Sequence, residues 1–281
     1  MRGFVTLLPP SVLVLALGLA AGCAPASDVQ SASGAEEEPA AAAPVPMPAD
    51  PVWDYQIGGG YPPAEDVQVV LRDREDESEP GRYSVCYVNG FQAQEHENEW
   101  WVENHRDLLL WDADGEPVMD DFWDEQFLDL RTEEQRDDLV EIMGGWMAGC
   151  AAAGFQGVEV DNLDSYTRSG GLIGEEAAFA YARLLVERAH AEGLTIGQKN
   201  AAEATALGVD AGFDFAVAEE CARWDECASY AEAYPGRVLD VEYRREDFET
   251  ACERDAGIVS VILRDLDVTP EGDPAHVREV C

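Results

Sequence analysis

Eight short runs of β-prone residues constrain this chain more than any other feature. They fall at 53–57, 67–71, 82–88, 158–161, 194–199, 213–218, 237–241 and 258–263. Helical segments separate several of them. Over 132–154, Thr132 and Gln135 form a capping-box pattern, and Leu139, Ile142, Met143, Trp146, Met147 and Cys150 repeat at helical spacing. A second helix is expected over 175–192, stopped by Gly193. Strand–helix alternation argues for a parallel sheet. Eight strands within residues 51–281 fit closure into a single (β/α)8 barrel, a fold of about 250 residues.

The residues where these runs end are polar: Gln56; Asp73; Asn89; Asp161 and Asn162; Lys199 and Asn200; Glu219 and Glu220; Glu242 and Tyr243; Arg264 and Asp265. In a barrel such exits converge on the C-terminal face, where catalysis resides. The densest is Gly154-Phe-Gln-Gly-Val-Glu-Val-Asp-Asn-Leu-Asp-Ser-Tyr166. Side chains alternate along a strand, so Glu159 and Asp161 share a side. An Asx-turn at Asp161 is the plainer reading of this stretch; the acids and amides at nearly every other exit exceed what a turn needs. Lys199 is the only lysine, against 17 arginines. Its retention at a strand end points to a role in a site of clustered ionisable groups. The excursion over 91–131, with Trp100, Trp101, Trp111 and Trp123, reads as an irregular loop over the barrel top.

Trp53-Asp-Tyr-Gln56-Ile, Cys86-Tyr87, the 154–166 stretch, Gln198-Lys199-Asn200, Phe213-Asp-Phe-Ala-Val-Ala-Glu219-Glu220-Cys221 and Val241-Glu242-Tyr243 occur in that order. Together they resemble the motifs of glycoside hydrolase family 114, the endo-α-1,4-polygalactosaminidases. Two positions depart from the pattern. Asn89-Gly90-Phe91-Gln92-Ala93-Gln94-Glu95 stands where the family tends to have Gly and then Glu-x-x-Arg, and Glu220 replaces a frequent glutamine. The resemblance implies a TIM-like barrel cutting α-1,4-linked galactosamine polymers, with Asp161 and Glu219 as catalytic carboxylates. Glycoside hydrolysis needs two such groups flanking the bond. Asp161 is cast as nucleophile and Glu219 as acid/base, with Glu159 a buried support. Asp73, Asp164 and Glu242 are candidates for the substrate ammonium. Trp53, Tyr87, Tyr166 and Tyr243 are candidate sugar platforms, core packing being an equal reading of Trp53. Gln56, Asn162, Lys199 and Asn200 complete the expected substrate-binding set. The rival from another class is a non-catalytic glycan-binding lipoprotein, which would lack a complete acid/base pair.

Residues 1–22 read as a secretion signal, with Arg2 before an apolar run too short to be a permanent span. Leu-Ala-Ala-Gly-Cys at 19–23 resembles a bacterial lipobox, so Cys23 is the expected lipidation site, giving an exported protein held at the membrane face by a lipid anchor alone. Residues 23–50, rich in Ala, Pro and Glu, read as a disordered tether. The formal charge of −40 excludes nucleic acid and suits a cationic or partly deacetylated polysaccharide, though it also serves solubility. A monomer is expected. Six cysteines past Cys23 suggest disulfides, for which 15 connectivities exist. Cys221 and Cys227, close in sequence, are expected to pair; Cys252 with Cys281 would secure the C-terminus, leaving Cys86 with Cys150. No Cys-x-x-Cys pair offers a zinc site. Asp161, Asn162 and Asp164 lack the glycine and distal glutamate of a calcium loop. No metal or cofactor is expected.

Overall fold

The structure, a computed structural model, describes residues 43–281. The expected signal segment, the lipidated Cys23 and most of the expected tether lie outside the described residues. The last part of that tether does not stand apart from the body. Met47 is buried, and Tyr83 donates its hydroxyl to the Val45 carbonyl at 2.9 Å.

Eleven strands are present among the described residues: β1 (Trp53–Gln56), β2 (Val69–Asp73), β3 (Tyr83–Asn89), β4 (Gln92–Ala93), β5 (Gln126–Phe127), β6 (Gly157–Asp161), β7 (Thr195–Lys199), β8 (Phe215–Glu219), β9 (Val238–Glu242), β10 (Ser260–Arg264) and β11 (Arg278–Val280). The main sheet runs β1-β2-β3-β6-β7-β8-β9-β10-β11. The first eight of these strands are mutually parallel and correspond to the eight runs expected from the sequence; β11 is antiparallel to β10. Several strands sit one or two residues later than their apolar runs. The polar residues that end those runs, such as Asp73, Glu219 and Glu242, still pair within the ladder.

The helices are α1 (Asn98–Asn104), α2 (Glu133–Ala152), α3 (Ser165–Arg168), α4 (Glu175–Ala191), α5 (Thr205–Ala211), α6 (Cys221–Trp224), α7 (Cys227–Ala233) and α8 (Arg245–Arg254). Thr132 caps α2 in a capping box with Gln135, and Leu139, Met143, Met147 and Cys150 form its buried stripe. Gly193 follows α4 at φ +78°, a conformation glycine adopts without penalty. No helix joins β1 to β2 or β2 to β3. The polar outer residues of β1 and β2 are instead buried against one another. Arg72 donates Nε to Gln56 Oε1 at 2.9 Å, and Gln56 donates to Asp54 at 2.9 Å.

Two apolar clusters result. One lies between sheet and helices; the other fills the barrel with Tyr55, Leu71, Val85, Phe215, Val217, Leu239 and Ile262 among others. Gly197 explains how the interior fits: a Cβ there would meet the Phe215 ring at 2.4 Å. The junction of β1 with β10 is made by side chains, because β11 takes the free edge of β10. The Trp53 indole donates to the Ser260 carbonyl at 2.8 Å, and Arg278 donates to the Trp53 carbonyl at 2.9 Å. Asp54 is buried at this seam, 3.1 Å from Arg278 Nε and 3.7 Å from an Arg264 nitrogen.

The excursion over 91–131 is not one irregular loop over the barrel top. It holds the antiparallel β4–β5 pair with α1 between the two strands, and Phe91, Trp101, Leu108, Leu110, Phe127 and Leu130 are buried in the outer core. Its polar sequence hides short apolar anchors that sheet-length periodicity does not reveal. All three expected disulfides form: Cys86–Cys150, Cys221–Cys227 and Cys252–Cys281.

Candidate active site

Three successive strands end in the same way. Asp161, Lys199 and Glu219 are the last residues of β6, β7 and β8. Each is followed by a residue with positive φ: Asn162 at 66°, Asn200 at 53° and Glu220 at 58°. Asparagine tolerates this left-handed turn better than most residues, which accounts for two of the three. The turn sends the chain outward and leaves the final strand side chain at the barrel mouth.

Lys199 is the hub. Only 1% of it is exposed, and its ammonium lies 3.0 Å from Glu159, 3.2 Å from Asp161 and 3.4 Å from Glu219. One strand repeat below Asp161, Glu159 is fully buried and accepts the Tyr55 hydroxyl at 2.9 Å. Tyr55 in turn accepts from Lys199 at 3.2 Å. Burial pushes the Glu159 carboxyl up to about 7 against the opposing pull of Lys199. Burial also works to raise Asp161. There the Lys199 charge, the Tyr87 hydroxyl at 2.7 Å and the Asn162 backbone N–H at 2.8 Å outweigh it and hold the carboxyl below its ordinary value. Lys199 itself is held well above its usual range by Asp161, Glu219 and Glu159, although burial opposes them. Glu219 accepts from the Asn200 amide at 3.0 Å and the Tyr243 hydroxyl at 2.5 Å.

These groups open into a cleft of about 320 Å³. Tyr87, Asp161, Asn162, Asp164, Lys199, Asn200, Glu219 and Tyr243 line it together. The remaining sequence candidates lie elsewhere. Trp53 packs at the seam with its ring 5.7 Å from that of Tyr55, so core packing describes it. Gln56 is on the opposite face of β1 from Tyr55, with both ends of its amide engaged. Asp73 turns back to the Glu75 N–H at 2.9 Å. Glu242 is buried on the far face of β9, accepting from the Ala222 N–H at 2.8 Å, and burial raises its carboxyl to about 7. Tyr166 donates to Glu203 outside the cleft. Gln56 and Glu242 miss the cleft because their side chains fall on the outer face of their strands, whereas Trp53 starts β1 inside the barrel, Asp73 caps its own turn and Tyr166 sits on α3.

The cleft also holds residues outside the expected site set. Trp123, named in the segment expected over the barrel top, and Glu125 come from the 91–131 excursion, Arg168 from α3, and Leu266, Asp267 and Val268 from the loop after β10. Gly58 lets that last loop approach, since a Cβ there would lie 2.5 Å from the Val268 carbonyl oxygen. Tyr55, beneath the cleft, was legible only as one residue of an alternating strand. Among the described residues, the buried Cys221, Cys227 and Asp240 could have formed a metal cluster, but the two cysteines are joined as a disulfide.

No curated protein matches the chain in sequence. Several solved structures share its fold. The Aspergillus fumigatus Ega3 complex with galactosamine matches at a TM-score of 0.69 and 20% identity, over 86% of this chain and 99% of that one. The glycoside hydrolase domain of PelA from Pseudomonas aeruginosa matches at 0.55 and 15% identity, over 82% of this chain and 98% of that one. A variant of the PelA domain matches at 0.58 and 14%, with the same coverage. Residues 34–281 match the sequence profile of Glycoside-hydrolase family GH114. The chain is a glycosidase and belongs to that family.

Proposed function

We propose that the chain hydrolyses α-1,4-linked galactosamine-containing polysaccharide, with Asp161 as nucleophile and Glu219 as general acid/base. The observation that carries this reading is the convergence of these two carboxylates on the Lys199 ammonium at the mouth of the barrel. Asp161 is held in its charged form, as attack on an anomeric carbon requires. Glu219 is oriented by Asn200 and Tyr243 to protonate the leaving oxygen and then to deprotonate the incoming water. The two oxygens facing Lys199 can be no farther apart than the sum of their 3.2 and 3.4 Å contacts. That bound admits the ~5–5.5 Å carboxyl separation of retaining enzymes, and retention is the outcome proposed. Galactosamine as the sugar draws support from the Ega3 complex, and a −40 charge suits a polymer bearing amines.

The proposal extends to an exported, Cys23-anchored monomer. Three disulfides among the described residues support export, since such bonds persist in oxidising compartments. Mass spectrometry finding no lipid on Cys23 would remove the anchor.

The central test is mass analysis of fragments from partly deacetylated galactosaminan. Asp161→Asn and Glu219→Gln should each lower kcat by about 10²–10⁴ with the circular dichroism spectrum unchanged. NMR of fresh product should show the α-anomer. Near-wild-type turnover by Glu219→Gln sinks the acid/base assignment, and β-product sinks retention.

A further inference from the structure

Four other acids line the cleft besides Glu125, and each already has its charge matched or screened. Asp161 and Glu219 share Lys199, while Asp164 pairs with Arg168 at 2.8 Å. Asp267 is exposed, where solvent screens it. Glu125 differs. It is half-buried and forms no ion pair with any described residue. One oxygen, Oε2, is held by two neutral donors, the Asn89 amide at 2.8 Å and the Asn162 amide at 3.4 Å. The other oxygen takes no hydrogen bond from a described residue. Arg168 directs both terminal guanidinium nitrogens to Asp120, Asn162 and Asp164 and forms no ion pair with Glu125.

The position of Glu125 is built rather than incidental. Its carbonyl accepts the Asp120 N–H at 2.7 Å, and the Asp120 carboxylate accepts the Phe122 N–H at 2.9 Å, closing the turn over 120–125. Asp124 adopts φ +55° within that turn, and β5 begins immediately after Glu125. Trp123, half-exposed, forms the adjoining wall of the cleft. A carboxylate fixed by neutral amides, with one oxygen free beside an aromatic wall, is arranged to receive a cationic group on a sugar.

We propose that Glu125 determines specificity: its free oxygen takes the ammonium of a deacetylated amino sugar and so selects such units over N-acetylated ones. This rests on the reading above that the substrate carries amino sugars. Burial, opposed chiefly by the Asn89 amide and more weakly by the Arg168 charge, raises the Glu125 carboxyl to about 7, and a cation at its free oxygen would supply the direct compensation it lacks. Neither Asn89 nor Asn162 can supply that compensation; the substrate can.

The experiment compares kcat/KM on fully deacetylated and fully N-acetylated galactosamine oligomers for the wild type, Glu125→Gln and Glu125→Asp. Glu125→Gln keeps the shape and the Asn89 contact while removing the charge. It should lower kcat/KM on the amine oligomer at least about tenfold more than on the acetylated one, the worth of one charge-assisted hydrogen bond. Glu125→Asp should retain part of the wild-type preference, because it keeps a retracted charge. Wild-type cleavage with the same preference in Glu125→Gln overturns the role of Glu125 alone, as does an equal loss on both oligomers. A wild type that cleaves neither oligomer removes the amino-sugar reading and this proposal with it.

Discussion

Lys199 stands among three carboxylates and two tyrosine rings, with no water-exposed surface to speak of. The sequence pointed to it through its rarity, its place at a strand end and the Gln198-Lys199-Asn200 motif, and suggested a modest part in orienting charge. The geometry asks more of it. Removing one member of a buried charge cluster leaves the others uncompensated, typically at a cost of ~3–5 kcal/mol. Lys199→Met should therefore destabilise the fold measurably in a denaturant titration as well as lowering turnover, and it should raise the Asp161 carboxyl by removing the cation that most lowers it. A Lys199→Met protein as stable as the wild type would show that Glu159 absorbs the loss by binding a proton. Strand alternation places Glu159 under Asp161, and there it is buried and paired with Lys199. Glu125 was not found at all: it is one of many acids in a segment with no periodicity, and only the turn over 120–125 brings it to the cleft.

At the scale of elements, the strands were the most legible part, since each carries its own alternating or apolar run and ends in a polar residue. The helices α2 and α4 were equally plain from capping and stripe. What could not be read was which face of a strand end meets the cleft. Glu219 and Glu242 occupy the same place in their strands, yet one lines the cleft and the other is buried beneath α6. The difference is one of parity, and parity depends on where the strand begins to pair, a tertiary fact. The disulfides were legible because few partners were sensible. Cys86–Cys150 joins β3, inside the sheet, to the last turn of α2 across 64 residues. It ties down the helix that follows the long excursion.

For the whole molecule, acidity and burial combine into a pH dependence. Glu125, Glu159 and Glu242 are each raised to about 7, in every case chiefly by burial, and Asp240 is raised well above its ordinary value for the same reason. A carboxyl raised in the folded state stabilises the fold fully below its unfolded value of ~4.3, and that contribution is lost as pH rises through 7. Asp161, Asp129 and Asp265 are lowered and act in the opposite sense, losing their contribution only as pH falls below ~4. Between these limits the raised groups decide the slope, and protonation also relieves repulsion within a chain of net charge −40. The melting temperature should thus be higher at pH 5 than at pH 8; a flat or rising profile over that interval contradicts the account. The seam between β1 and β10 carries a different consequence, one of timing. Its closing contacts join residues 207 and 225 positions apart, and they are side-chain bonds rather than a ladder. Loop-closure entropy grows with such separations, so these contacts form late in folding and release early in native fluctuations. In native-state hydrogen exchange, the amides of β1 and β11 should lose protection before those of β6 and β7, which are paired on both sides. Such a release would carry Tyr55 away from Lys199 while leaving Asp161 and Glu219 on strands that stay shut, so the barrel can breathe along its first-to-last edge without parting its two acids.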